Sequence, residues 1–238
     1  MPLESYYLIM KLLSDTNDTN GRVSQMNVGY VQSQEQEIVV PEVLNKLSTL
    51  NSILENEVEK VDSLKETEFN HLKLFINKVQ QEGFSTYDLT NPSGVGVRHI
   101  NYVLEGTGLE GLGEYYIQAE KDYGVNAFFL VGLSALESAW GNSRLAQDRN
   151  NIFGFMAYDR NVDMAKRFDT KGESILHVAK YLKENYLTVG GKYYNGVTVE
   201  GVNVRYSSDK NWNKKISLIV NRLVYDLQFG IDNGLIKE

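Results

Sequence analysis

The 238-residue sequence predicts a mainly α protein with one small β element, in which a long helix stands ahead of a compact helical domain. Three observations carry that expectation. No Gly or Pro interrupts residues 42–82, whose apolar positions step by threes and fours, as one helical face requires. Asn126–Ser143 places an almost wholly apolar body between a capping Asn and a stopping Gly. Phe153–Phe168 alternates and turns in the manner of a hairpin. A hydrophobic content of 42% is enough to bury a core over most of the chain.

Residues 1–40 read as a poorly ordered N-terminal segment, apolar at its start and then rich in Ser, Asn, Gln and Asp. The run Asp15–Gly21 has the composition of a calcium loop, but its oxygens miss the required spacing and no Glu closes it, so it reads as a turn-rich linker. Glu4 and Lys11 interrupt the apolar start and no small-residue cleavage pattern follows, so there is no clear signal peptide. No stretch approaches the length of a membrane span. Residues 41–98 form a long amphipathic helix and linker. Pro41 suits a first helical position, and Val43, Leu47, Leu50, Leu54, Val61, Leu64, Leu72, Phe75 and Val79 make the stripe, while Glu57, Glu68 and His71 break a strict heptad. Such a helix folds back on its own domain, self-associates through residues 41–82, or serves as a spacer in a larger assembly. Pro92, Gly94 and Gly96 mark a boundary.

Residues 99–238 are the expected compact domain. His99–Leu104, Leu112–Tyr123, Ala127–Trp140, Glu173–Tyr186 and Trp212–Gly230 carry helical patterns, and Gly190–Val204 reads as a loop or weak hairpin. Thr170 three residues before Glu173 has the spacing of a capping box.

Several chemistries are excluded. A net charge of −7 argues against a general nucleic-acid binder, because phosphate neutralisation needs a basic surface. The charge is uneven, however: Arg160–Arg222 holds 12 basic and 6 acidic residues, which suits an anionic polymer or an ordinary solvated surface. With no cysteine there is neither disulfide nor thiolate chemistry. Gly106, Gly108 and Gly111 have dinucleotide-loop spacing without the strand such a loop follows. His71, His99 and His177 lack metal-ligand spacing, so no metal or other cofactor is implied. Carboxylate chemistry remains.

Glu137 is the informative carboxyl. It lies near the end of the helix whose body is Phe128, Phe129, Val131, Leu133 and Leu136. Apolar surroundings disfavour the charged form and raise a carboxyl pKa, the condition for holding a proton at neutral pH and passing it to a leaving oxygen. The same position also suits an edge Glu facing solvent.

Three ordered strings carry a resemblance: ALESAWGNS (Ala135–Ser143), NNIFGFMAYD (Asn150–Asp159) and RYSSDKNWNKKI (Arg205–Ile216). Together they resemble the peptidoglycan endo-β-N-acetylglucosaminidases of glycoside hydrolase family 73, of autolysin or phage-lysin type, over roughly residues 100–230. The resemblance implies a lysozyme-like helical catalytic domain with a small β-hairpin lobe. It also implies an enzyme that hydrolyses the bond after N-acetylglucosamine in peptidoglycan glycan strands, acting at the extracellular cell wall or with a phage. Glu137 takes the family's general-acid position. Asp159 is the first choice for a second acid and Asp163 the alternative, although both also suit ordinary turns. Tyr206 matches a groove tyrosine able to hydrogen-bond the substrate's acetamido group or the attacking water. Trp140, Tyr158, Phe153 and Trp212 offer aromatic faces to sugar rings. Asn151 joins them as a candidate substrate contact, although Asn151, Phe153 and Gly154 also suit a role in shaping the hairpin.

The rival enzymatic readings are a muramidase or a lytic transglycosylase, which cut the other glycosidic bond. The non-enzymatic rival is a virion or wall-binding structural protein.

Overall fold

The computed structural model describes residues 39–156 and 165–236. Eight α-helices occur among them: α1 (Val39–Glu82), α2 (Val97–Leu104), α3 (Gly113–Tyr123), α4 (Ala127–Ser138), α5 (Arg144–Arg149), α6 (Lys171–Leu182), α7 (Val199–Tyr206) and α8 (Trp212–Asp232). A π-turn over Lys183–Leu187 extends α6. The chain divides into two units, Met1–Asn56 and Glu57–Glu238. In the first, residues 39–56 are all helical, and Leu47, Ile53 and Leu54 are exposed.

The second unit is built around α4. Every residue from Ala127 to Ala135 is buried, because the segment offers no polar face and must be surrounded. Asn126 starts the helix as the sequence predicts, its Oδ1 accepting from the Phe129 amide at 3.1 Å. Against α4 pack α3 and α8, while α3 also packs on α2 and α6. Gly132 sets the approach of α8: a Cβ there would lie 2.7 Å from Val220 Cγ2. Leu72, Phe75, Ile76 and Val79 of α1 enter this same core, and the Phe75 ring lies 5.2 Å from that of Phe128. The core thus draws on residues ahead of His99, the expected start of the compact domain. The apolar stripe of α1 is buried only from Leu72 onwards, since Val61 and Leu64 remain exposed.

Two local expectations come out differently. Residues 199–206 close as a helix rather than a loop or hairpin, with Thr198 accepting from the Gly201 amide at 3.2 Å. Its N-cap signal was present in the sequence at Thr198, followed by Glu200 in the first turn. The β-hairpin lobe is not shown: no strand occurs among the described residues, and 157–164 lie outside them. The flanks of that segment are joined by side-chain bonds instead of a strand ladder. Asn151 Nδ2 donates to the carbonyls of Phe155 and Lys166, each at 2.9 Å, and isolated backbone bonds run from the Lys166 amide to Phe155 O and from the Phe168 amide to Arg149 O.

Half of the expected capping box forms at α6: Thr170 Oγ1 accepts from the Glu173 amide at 3.0 Å, but the Glu173 carboxylate reaches past the N-cap and accepts from the Asp169 amide at 2.9 Å. No helix among the described residues is long and apolar enough to cross a membrane.

Candidate active site

Glu137 occupies the last turn of α4, where the buried helix meets the surface, and its side chain is half-buried. One carboxyl oxygen, Oε1, accepts a 2.7 Å hydrogen bond from the indole N–H of Trp212, the first residue of α8. The other oxygen has no hydrogen-bond partner among the described residues. Burial pushes the carboxyl above the usual Glu value, and the Trp212 bond draws it part of the way back. The environment therefore favours the protonated form while leaving one oxygen open.

Tyr206, the last residue of α7, stacks at a tilt on Trp212 with ring centroids 4.9 Å apart. Burial, followed by the nearby charge of Glu137, pushes its phenol well above the ordinary range. Its hydroxyl stays protonated at any physiological pH and is free to donate, having no partner among the described residues. From Tyr206 a run of rings continues through Tyr186 at 5.7 Å, Tyr181 at 6.2 Å from Tyr186, and Phe155 at 5.1 Å from Tyr181. It links the neighbourhood of Glu137 to the near flank of 157–164.

Glu137 leads into an unusual turn. Ala139, Trp140 and Gly141 have φ of 50°, 59° and 80°, three successive left-handed residues of which two are not glycine. Ser138 Oγ holds the turn by accepting from the Gly141 amide at 2.7 Å. Outside it, the Lys171 ammonium donates to the carbonyls of Gly108 and Gly141 at 2.8 and 3.3 Å. Gly108, which the sequence left without a role, is needed because the two backbones touch: a Cβ on Gly108 would lie 2.8 Å from Trp140 O.

The expected site residues thus fall into three groups. Glu137 and Tyr206 are brought together around Trp212, and Trp140 follows three residues after Glu137, partly exposed in the strained turn. Asn151 and Phe153 are buried, at 1% and 3% exposure. All of the polar capacity of Asn151 is used internally, since its Oδ1 also accepts from the amides of Phe155 at 2.9 Å and Phe153 at 3.4 Å. These two residues shape the segment and are closed to a sugar. Asn151→Ala is expected to destabilise the domain by about 2–4 kcal/mol, because it strands buried backbone groups. Urea unfolding measures this. Tyr158, Asp159 and Asp163 lie outside the described residues.

Trp212 contributes differently from the sequence reading. It is 3% exposed and presents its N–H to Glu137, with no face free for a sugar. Glu120, missed altogether, is the second carboxyl raised by burial, but three donors saturate it: the Ser93 amide and hydroxyl at 3.0 Å and the Ala127 amide at 2.7 Å. It fastens the N-terminus of α4 and has no open oxygen. His99 is structural as well. Its Nδ1 accepts from the Gly96 amide, and burial lowers its pKa to about 4. Among the described residues no group of acidic and imidazole side chains is arranged to hold a metal ion.

A carboxyl pushed upward by burial and open on one side is suited to hold a proton and pass it on, as a general acid must. Residues 113–224 match the model of the glucosaminidase family, described as mannosyl-glycoprotein endo-β-N-acetylglucosaminidase. A Streptococcus pneumoniae serotype 4 protein named "Putative endo-beta-N-acetylglucosaminidase" is 37% identical over 142 residues, covering 57% of this chain and 21% of that protein. A Staphylococcus aureus bifunctional autolysin is 29% identical over 125 residues, covering 43% of this chain and 10% of its own length. The chain therefore spans about a fifth or less of the curated relatives it matches. The fold is similar to that of a crystallised catalytic mutant of S. aureus autolysin E in complex with the disaccharide NAG-NAM. The TM-score is 0.52 at 20% identity, covering 63% of this chain and 75% of that one.

Proposed function

We propose that the domain is an endo-β-N-acetylglucosaminidase that cleaves peptidoglycan glycan strands between N-acetylglucosamine and N-acetylmuramic acid, acting on the bacterial cell wall. The observation that carries this reading is the half-buried Glu137 carboxyl with one oxygen held by Trp212 and the other open. The glucosaminidase match over 113–224 and the names of the relatives support the choice of substrate.

In this mechanism Glu137 gives its proton to the glycosidic oxygen as the bond to the anomeric carbon breaks and the bonding pair stays with that oxygen. Positive charge at the anomeric carbon is met by water or by the substrate's own acetamido oxygen. When water adds, its proton passes to a base, and Glu137, by then ionised, or a carboxylate such as Asp159 or Asp163 serves. The neutral Tyr206 hydroxyl donates to the acetamido group or orients the water.

The test is the chemistry of the new chain ends. Purified peptidoglycan is digested, reduced and analysed by mass spectrometry. Reducing-end N-acetylglucosamine is expected. Reducing-end muramic acid would make the protein a muramidase, anhydromuramic ends a transglycosylase, and failure to release fragments would favour a wall-binding role.

A further inference from the structure

We propose that Trp212 is a positioning residue for Glu137, its indole N–H fixing one carboxyl oxygen as an acceptor and so reserving the other for the departing proton. The inference rests on the reading of Glu137 as general acid. An indole nitrogen can only donate. The 2.7 Å bond therefore obliges Oε1 to accept, and in the neutral acid the proton sits on Oε2, the oxygen without a partner among the described residues.

The donor is held firmly. Trp212 is 3% exposed, so water does not compete for its N–H, and its ring is backed by Tyr206 and carried on the first turn of α8. Its effect also grows along the reaction. A hydrogen bond to a carboxylate is shorter and stronger than one to a neutral carboxyl, so the N–H stabilises Glu137 most as the proton leaves. An interaction that strengthens on the way to the transition state raises turnover rather than substrate affinity. Among the described residues the other titratable group near Glu137 is Tyr206, whose phenol burial holds well above its ordinary range, so the alkaline limb of the pH response is assigned to Glu137.

The experiment replaces the indole of residue 212 with benzothiophene, by site-directed incorporation of benzothienylalanine, which keeps the shape and removes the N–H. Trp212→Phe serves as a second variant. Turnover and KM are measured against pH on soluble glycan fragments. We expect kcat to fall about tenfold or more with KM changed less than about twofold. We also expect the alkaline limb of the profile to move to higher pH, because Glu137 loses the donor that stabilises its ionised form. An unmoved limb overturns the assignment, whether kcat stays the same or falls along with melting temperature, since a purely structural role alters stability without altering the titration of the acid. Glu137→Gln is run alongside. If that variant cleaves at the parent rate, the reading of Glu137 as acid fails. If it is inactive while the benzothiophene variant keeps the parent pH profile, only the role of Trp212 fails.

Discussion

Glu137→Gln is expected to slow glycan cleavage by about 10²–10⁴-fold, the usual contribution of a positioned general acid, with the fold intact. The amide retains a carbonyl oxygen that accepts from Trp212 Nε1 and places an NH₂ where the proton would be, so packing survives while the transferable proton is lost. The effect on stability has the opposite sign. Burial raises the carboxyl of Glu137 in the folded state, so its contribution to stability is complete below its unfolded pKa and is lost as pH rises through the folded one. The Gln variant avoids that loss and should be as stable as the parent or more so at neutral and alkaline pH. The parent's activity should likewise decline on the alkaline side as Glu137 ionises. Turbidity clearing of cell walls, paired with thermal unfolding across pH, measures both. Clearing by the variant at the parent rate would remove Glu137 from the mechanism.

Gly141→Ala is expected to be the most damaging small change outside the acid. The residue has φ of 80°, and a Cβ there would lie 2.5 Å from both the carbonyl carbon and the oxygen of Gly108, which are backbone atoms unable to rotate away. Left-handed strain alone costs about 1–2 kcal/mol. The clash forces apart two loops that Lys171 clips together, so a total of about 3 kcal/mol or more is reasonable. Turnover should fall too, since the turn follows Glu137 directly and carries Trp140. Gly106→Ala isolates the terms: its φ is 73°, but nothing lies within 4 Å of the added carbon. It should show only the conformational cost. Urea unfolding of the two variants gives the difference, and equal destabilisation would mean that the approach of Gly108 to Gly141 is not what the glycine protects.

Features that act over a few residues were legible in advance. Asn126 as the cap of α4, the Thr170–Glu173 spacing and the apolar run ahead of Glu137 all depend on contacts within a turn or two of helix. The motif strings around Glu137 and Tyr206 led to the glucosaminidase family for a related reason: their order along the chain is information that sequence preserves. Residues 199–206 show the limit of this. Glycine and β-branched residues masked a helix that Thr198 begins and packing against α8 sustains.

What sequence determined by itself, then, was a helical domain with one carboxyl poised at the mouth of an apolar helix, because helix periodicity and capping are local. Only the tertiary structure decided which of two half-buried carboxyls keeps an open oxygen. Glu120 is saturated by donors from Ser93 and Ala127, whereas Glu137 meets one donor, from a residue 75 positions away. It also decided that Asn151 is spent inside the protein and that Trp212 faces the acid. Desolvation and hydrogen-bond supply depend on neighbours brought together across the fold, and no short-range pattern encodes them.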